Sequence, residues 1–167
     1  MKKVLVIGSP GSGKSVFSRR LAEIIGLPVI HLDQHFWRPG WVEPSKDEWD
    51  MELRELVERD SWIIDGNYSR TMDFRLEYCD TAIFLDFPRY LCTWRVLKRS
   101  LGGSRRRPDL AVGCEERVDL SFLKWTWDYR GRSRPGVLNR LERSAERLSI
   151  VTLKNKREVE EFLLSVA

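Results

Sequence analysis

Eight residues near the amino terminus have the types and spacing of a phosphate-binding loop. They read Gly8-Ser9-Pro10-Gly11-Ser12-Gly13-Lys14-Ser15, the pattern G-x-x-x-x-G-K-S, between an apolar run at 4–7 and a helical pattern. Glycines let backbone N–H groups converge on phosphate oxygens, and the helix N-terminus adds partial positive charge. We expect this loop and Val16 to bind ATP. Lys14 is expected between the β- and γ-phosphates, and the Ser15 hydroxyl on Mg²⁺.

Aspartates follow several predicted strands, where their carboxylates could serve phosphoryl transfer. Such a site needs a carboxylate for Mg²⁺, cations for the transferring phosphate and a pocket for the acceptor. Asp65 follows an apolar strand at 62–64 and is our choice for the Mg²⁺ side. Asp33 would orient or deprotonate an acceptor hydroxyl. Asp86 is expected to be structural and to hydrogen-bond the loop that begins at Pro88. The alternative for each aspartate is a simple turn former at a strand end.

The acceptor would lie near the ends of the second and third predicted strands. The residues assigned to its pocket are Asp33, Trp37, Arg38, Trp41, Gly66, Asn67, Tyr68 and Arg70. The aromatic members could stack on a planar acceptor, or they could form a small core under a flap at about 34–60. His31 and His35 are not expected to bind metal, because no cysteine or further histidine completes a ligand set.

Arginines surround a glycine-containing stretch at about 103–119, which we expect to form a small mobile lid. Arginine is a planar, permanently charged group that suits phosphate. Arg95 and Arg99 lie four apart on one predicted helix face before this stretch. The other candidates are Arg105, Arg106, Arg107, Arg130, Arg132 and Arg134. They could close over the phosphates, or they could form a solvated basic surface.

Predicted strands alternate with predicted helices along the whole chain. The strands are expected at 4–7, 28–32, 62–64, 81–85 and 149–153. Residues 34–44 are expected to be irregular, Ser45 and Glu48 to form a capping box, and a short helix to cover 70–78. Asn155, in the exit loop of the last strand, is assigned to the ATP site. The alternation predicts one α/β domain over 1–167, with a parallel sheet between helices on both faces.

Composition sets limits on the class of protein. The 167 residues are 42% hydrophobic and 32% charged, which is typical of a globular protein. No apolar run approaches the roughly 18 residues of a membrane span, and the run at 4–7 is too short for a signal peptide. Cys79, Cys92 and Cys114 have no C-x-x-C spacing, so we expect reduced thiols and a cytoplasmic location. The net charge of +4 suits an anionic ligand without requiring nucleic acid.

Several of these motifs together resemble those of the adenylate-kinase-like nucleoside and nucleotide kinases. The resemblance is carried by the phosphate-binding loop, by Asp65-Gly66 after the third strand, and by Pro88 followed by Arg95 and Arg99. It implies that Asp65 lies on the Mg²⁺ side. It also implies that Arg95 lies near the ATP base and that Arg99 contacts the phosphates.

More of the chain is similar to bacterial DNA topology modulation proteins of the FlaR type. The matching stretches are His31-Leu32-Asp33, Phe36-Trp37-Arg38-Pro39-Gly40-Trp41, Trp62-Ile63-Ile64-Asp65-Gly66-Asn67-Tyr68, Phe84-Leu85-Asp86-Phe87-Pro88, Arg107-Pro108-Asp109 and Phe122-Leu123-Lys124-Trp125. This resemblance implies a three-layer P-loop kinase fold, the sheet order 2-3-1-4-5 and ATP binding. The sequence contains no helix-turn-helix or zinc-finger motif for reading DNA. Adenylate kinases continue Asp-Gly with Phe-Pro-Arg, whereas this chain has Asn67-Tyr68-Ser69-Arg70, so AMP is not implied as the acceptor.

Two functions from different classes follow from these residues. The first is a kinase that transfers the γ-phosphoryl group of ATP to a nucleotide or another small-molecule acceptor. Its catalytic residues would be Lys14, Asp33, Arg95 and Arg99. The second is an ATP-binding regulatory protein that affects DNA topology through Arg105, Arg106 and Arg107. A third hypothesis, a degenerate kinase fold that only binds ATP, is opposed by the presence of Lys14, Ser15 and Asp65.

Overall fold

Five strands form a single parallel sheet. They are β1 (Lys3–Gly8), β2 (Val29–His31), β3 (Trp62–Asp65), β4 (Thr81–Leu85) and β5 (Ser149–Leu153). Their order in the sheet is β2-β3-β1-β4-β5, and every neighbouring pair is parallel. The computed structural model describes residues 1–102, 109–114 and 118–167. The predicted strand order and fold class are confirmed.

Helices connect the strands and cover the sheet. They are α1 (Lys14–Ile25), α2 (Leu32–Phe36), α3 (Lys46–Glu58), α4 (Met72–Tyr78), α5 (Arg89–Leu101), α6 (Leu120–Arg132), α7 (Arg134–Ser144) and α8 (Lys156–Ser165). Side chains alternate between the two faces of a strand. Leu5 and Ile7 of β1 accordingly pack in one buried cluster with α3, α4 and α7, whereas Val4 and Val6 pack in another with α1, α5 and α8. The protein therefore has three layers with a core on each face of the sheet.

The predicted helix boundaries are correct where side-chain chemistry fixes them. The Ser45 hydroxyl accepts from the Glu48 N–H at 3.3 Å, and the Glu48 carboxylate accepts from the Ser45 N–H at 2.8 Å. This is the capping box expected at the start of α3. Gly26 has a φ of +70° and ends α1, because glycine enters this left-handed conformation without steric cost.

The prediction of an irregular segment from 34 is wrong at its start. Helix α2 covers Leu32–Phe36, so Asp33 lies in the first turn of a short helix. Leu32 is fully buried, and Phe36, one turn later, packs on the same core cluster. These two apolar contacts stabilise a helical turn immediately after β2. The predicted helix at 70–78 likewise begins as a 3₁₀ turn at Ser69–Thr71 before α4.

Other features bear on the setting of the protein. Cys79, Cys92 and Cys114 are free and buried, as expected for reduced thiols. Over residues 1–102, 109–114 and 118–167, no helix is both long enough and apolar enough to cross a membrane. Arg105, Arg106 and Arg107 of the predicted lid lie outside the described residues.

Candidate active site

The backbone of the phosphate-binding loop depends on glycine. The loop leaves β1 at Gly8 and enters α1 at Lys14. Gly11 has a φ of +74°, and a Cβ atom there would lie 2.3 Å from the carbonyl oxygen of Cys92 in α5. Gly13 has a φ of +96°. Glycine at position 11 therefore allows both the left-handed turn and close packing of the loop on α5.

The polar groups of this loop fit a bound phosphate. The Ser12 hydroxyl is buried and has no hydrogen-bond partner among the residues that the structure describes. Lys14 Nζ donates to the carbonyl oxygens of Gly8 and Ser9 at 2.9 and 3.1 Å. A phosphate oxygen in the loop would give the hydroxyl an acceptor and the ammonium group a stronger one.

A pocket of about 300 Å³ lies beside the loop. Its walls include Val16, Phe17, Arg20, Phe87, Arg95 and Lys156. The Arg95 guanidinium lies 5.2 Å from the centre of the Phe87 ring and makes long 3.4 Å hydrogen bonds to two loop carbonyls. Apolar walls with a few cations suit a planar base next to phosphates. Val16 and Arg95 thus line a pocket suitable for the base of ATP, and Arg99 follows one turn later on α5.

Asn155, assigned to the ATP site from the sequence, performs another task in this structure. Its Oδ1 accepts from the Glu158 N–H at 3.0 Å and begins α8. Its Nδ2 donates to the Glu158 carboxylate at 2.6 Å. The next residue, Lys156, is the one that lines the pocket. The assignment of Asn155 to ATP therefore stays a prediction.

Asp65 ends β3 beside the start of the loop, with its backbone in register with Val6. Its carboxylate Oδ2 lies 2.8 Å from His31 Nδ1, and both side chains are buried. These residues are 34 positions apart, so no local sequence pattern pairs them. His31 is thus a partner that orients Asp65, a role that the sequence analysis missed.

The residues assigned to Mg²⁺ are Ser15 and Asp65. Across the part of the chain that the structure describes, no cluster of three or more His, Cys, Asp or Glu could hold a metal by itself. Mg²⁺ in phosphoryl-transfer sites is commonly held by one or two protein groups together with substrate phosphates. A hydroxyl at the loop and one oriented carboxylate beside it fit that mode of binding.

Asp33 and Tyr68 meet on the acceptor side. The Tyr68 hydroxyl donates to Asp33 Oδ1 at 2.7 Å. Burial, and then the nearby Asp33 carboxylate, raise the pKa of Tyr68. The phenol therefore stays protonated and holds the Asp33 carboxylate in one orientation.

The segment 65–68 connects the two halves of the site. Asn67 Oδ1 accepts from the Gly8 N–H of the phosphate-binding loop at 3.1 Å. Gly66 has a φ of +142°, and a Cβ atom there would lie 2.9 Å from Leu32 Cβ. Asn67 thus lies directly on the donor loop, although the sequence analysis assigned it to the acceptor pocket.

A buried arginine that the sequence analysis missed supports this segment from below. Arg75 is fully buried and donates to the carbonyl oxygens of Gly66, Asn67 and Tyr68 at 2.8, 2.7 and 2.9 Å. Burial lowers the pKa of Arg75 to about 10, so the guanidinium remains charged at neutral pH. A signal was present in the sequence, because Arg75 occupies the apolar face of α4 between Met72 and Leu76.

The aromatic residues of the acceptor side pack on one another. The Phe36 ring lies 5.0, 5.1 and 4.6 Å from the rings of Trp37, Trp49 and Tyr68. Trp37 also meets Trp41 edge-on at 5.3 Å. The cluster has the form of the small core under the flap, and its outer members, Trp37 and Trp41, are half-buried. Stacking of an acceptor on these two rings stays a prediction.

Two arginines of the predicted acceptor pocket form ion pairs near the surface. Arg38 Nη2 lies 3.1 Å from the Glu52 carboxylate. Arg70 makes two hydrogen bonds to Asp50, at 2.9 and 2.6 Å, and about half of its side chain is exposed. Both assignments to the acceptor stay predictions.

The expected contact of Asp86 is wrong. Asp86 does not bond the loop at Pro88 but accepts two hydrogen bonds of 2.7 Å from Arg134, the first residue of α7. The Asp86 side chain is only 8% exposed, and a buried carboxylate requires a charged or hydrogen-bonding partner. Arg134, which we expected at the lid, therefore has a structural partner, whereas Arg130 and Arg132 are exposed.

Residues 109–114 of the predicted lid contact the acceptor flap. The Gly40 N–H donates to the Gly113 carbonyl oxygen at 3.0 Å. The Cys114 thiol donates to the Arg38 carbonyl oxygen at 3.2 Å. These bonds join two segments more than 70 residues apart.

Comparison with known proteins places this architecture in a class. A shikimate kinase from Acinetobacter baumannii, solved in complex with shikimate, has a TM-score of 0.62 at 14% identity and covers 99% of this chain and 90% of its own. A gluconokinase from Sinorhizobium meliloti 1021 has a TM-score of 0.55 at 17% identity. The match covers 99% of this chain and 93% of the gluconokinase. The fold is therefore that of the P-loop kinases.

Sequence relatives narrow the class. An adenylate kinase of Thermotoga petrophila is 30% identical over 115 residues, which are 67% of this chain and 51% of that protein. An adenylate kinase of Mycobacterium ulcerans is 28% identical over 146 residues, which are 84% of this chain and 78% of that protein. This chain spans about half the length of the first curated relatives it matches. No family model matches it. The chain is thus similar in sequence to adenylate kinases and has the fold of the P-loop kinases.

Proposed function

We propose that this protein is a kinase that transfers the γ-phosphoryl group of ATP to a nucleotide or another small-molecule acceptor. One observation carries the proposal: a phosphate-binding loop and an oriented carboxylate are joined at the same edge of the sheet. Asn67 bonds Gly8 on the donor side, and its neighbour Tyr68 bonds Asp33 on the acceptor side. In open parallel sheets the ligand lies at this carboxyl edge.

The proposed chemistry is mainly positioning and electrostatic stabilisation. The loop amides and Lys14 bind the phosphates, while Arg95 and Arg99 stabilise charge on the transferring group. Asp33 accepts the proton of an acceptor hydroxyl as the oxygen attacks phosphorus, and the bond from the γ-phosphorus to the bridging oxygen breaks to release ADP. Mg²⁺ held by Ser15 and Asp65 would neutralise phosphate charge.

An ATP-consumption screen tests the proposal. The purified protein is incubated with ATP and Mg²⁺, and ADP is measured with nucleoside monophosphates, nucleosides or small hydroxyl compounds as acceptors. We expect one acceptor class to raise the rate. Lys14→Ala should lower that rate by about 100-fold or more while circular dichroism stays unchanged. Lys154→Ala is the matched control, because Lys154 is exposed and is not among the residues that line the pocket. A full rate in Lys14→Ala would refute the site.

The narrower assignment to the FlaR type belongs to the same proposal, and the motif stretches given above support it. A direct effect on DNA topology depends on Arg105, Arg106 and Arg107, which lie outside the described residues. Duplex DNA binding in a gel shift at physiological salt, with no acceptor found in the screen, would favour the regulatory alternative.

A further inference from the structure

We propose that Arg75 is a positioning residue that holds the segment 65–68 in register with both the phosphate-binding loop and Asp33. Its catalytic meaning rests on the proposed function, whereas its structural test does not. Nothing in the kinase motifs calls for an arginine at this position. The contacts of the Arg75 guanidinium support this positioning role.

The Arg75 guanidinium is fully buried and binds three consecutive carbonyl oxygens, those of Gly66, Asn67 and Tyr68. Its Nε also donates to the Thr71 carbonyl oxygen at 3.4 Å, within its own helical region. A single side chain therefore fixes the main chain of three residues in a row.

The main chain of the segment 66–68 requires support from its surroundings. Tyr68 has a φ of +26°, an uncommon conformation for a residue with a side chain, and Gly66 is held against Leu32. Such a backbone persists only when surrounding contacts determine it. The hydrogen bonds from Arg75 to both residues provide that determination.

Burying the positive charge of Arg75 has a cost in free energy. Arg75 lies on the apolar face of α4, between Met72 and Leu76, where a methionine or leucine would bury hydrocarbon without desolvating a cation. A buried guanidinium is stable there only if its donors are satisfied. We infer that the charge is present to specify the conformation of the segment and not to fill the core.

The segment 66–68 connects Arg75 to both halves of the site. Arg75 Nη2 donates to the carbonyl oxygens of Asn67 and Tyr68. The side chains of these two residues contact the two halves of the site. Asn67 bonds Gly8 of the donor loop at 3.1 Å, and Tyr68 bonds Asp33 at 2.7 Å. The hydrogen bonds of Arg75 itself end on main-chain carbonyls of Gly66, Asn67, Tyr68 and Thr71. A change at Arg75 should nevertheless alter both contacts through the segment between them.

The test uses amide hydrogen exchange of the free protein, measured by NMR. The Gly8 N–H donates to Asn67 Oδ1. Its exchange rate therefore reports whether the segment 65–68 keeps its contact with the phosphate-binding loop. We expect Arg75→Met to speed exchange at Gly8 by about 10-fold, approaching the effect of Asn67→Ala, which removes the contact directly. Arg147→Met is the matched control, because Arg147 also donates to main-chain carbonyls of this region, at 3.2 and 3.3 Å, but away from the site.

Two further variants keep the test decisive if Arg75→Met folds poorly. Arg75→Lys keeps the charge but replaces the planar guanidinium by a single ammonium nitrogen, so an intermediate exchange rate is expected. In Arg75→Ala, millimolar guanidinium chloride should restore protection at Gly8, whereas equal sodium chloride should not. Unchanged exchange at Gly8 in Arg75→Lys and Arg75→Ala, or an equal effect of Arg147→Met, would overturn the proposal.

Kinetics give a second measurement that separates positioning from general stability. With an acceptor found by the screen, Arg75→Lys should lower kcat by about 10-fold or more while the KM for ATP changes less than about 2-fold. If the KM for ATP rises by about the same factor as kcat falls, the positioning role is contradicted. If no acceptor is phosphorylated by the wild type, the proposed function fails, while the exchange experiment still decides whether Arg75 couples the loops.

Discussion

Replacing Arg134 by methionine separates two roles for an arginine that the sequence places beside the lid. In the structure Arg134 binds Asp86 through two hydrogen bonds of 2.7 Å. The Asp86 side chain is 8% exposed and that of Arg134 is 26% exposed. Removing one partner of a buried ion pair costs about 3–5 kcal/mol, because the other charge remains buried. Since water can enter where Arg134 was partly exposed, we expect the lower end, about 3 kcal/mol.

Urea denaturation at neutral pH measures this cost. The double variant Asp86→Asn with Arg134→Met removes both charges, so it should be less destabilised than the sum of the two single variants. Arg132→Met is the control, an exposed arginine at the end of α6, and should stay within about 0.5 kcal/mol of wild type. If Arg134→Met unfolds like wild type but loses phosphoryl transfer, the structural role is refuted and Arg134 acts on phosphate.

Three further predictions concern other contacts. Gly11→Ala should be less stable than Gly13→Ala by about 2 kcal/mol, because both positions have positive φ but only at Gly11 would the new Cβ lie 2.3 Å from a carbonyl oxygen; equal urea midpoints would contradict this. Asp80 accepts from the Thr81 hydroxyl and from the N–H groups of Lys3 and Lys2, and these hydrogen bonds lower its pKa although partial desolvation opposes them. Its stabilisation is therefore complete above about pH 4 and is lost as pH falls through the lowered pKa, so the deficit of Asp80→Asn should vanish in acid and not persist. Gly113→Val would crowd a proline ring of the flap at 3.0 Å; a mass-spectrometric thiol assay should then show faster labelling of Cys114, and an unchanged rate would argue against the contact.

Local chemistry made most of the fold predictable. Strand and helix periodicity, the capping box at Ser45 and the glycine at position 26 each depend on neighbours within a few residues. The short helix α2 was not predictable in this way. It forms because Leu32 and Phe36 pack on a core contributed by distant strands and helices, and a five-residue helix has almost no intrinsic stability.

The candidate site was predictable in its donor half and less so in its acceptor half. The G-x-x-x-x-G-K-S pattern predicts the loop, because phosphate binding there depends on a backbone conformation that glycine allows. The partners of the aspartates are not encoded locally. His31 meets Asp65 across 34 residues and Tyr68 meets Asp33 across 35, and only the order of strands brings them together.

Burial distinguishes the arginines whose roles could not be predicted. Arg75 is fully buried and binds main-chain carbonyl oxygens. Every residue has such a carbonyl, so no sequence pattern marks the partners of Arg75. Arg134 binds a buried carboxylate, and exchange of that partner for a ligand would leave Asp86 alone in the interior. Arg70 is about half exposed, and an exposed pair such as Arg70 with Asp50 is worth only about 0–1 kcal/mol. A phosphate on an acceptor could displace Asp50 from Arg70 at little cost, so the exposed pair does not disfavour a nucleotide, and nucleoside monophosphates belong in the acceptor screen beside nucleosides and small hydroxyl compounds.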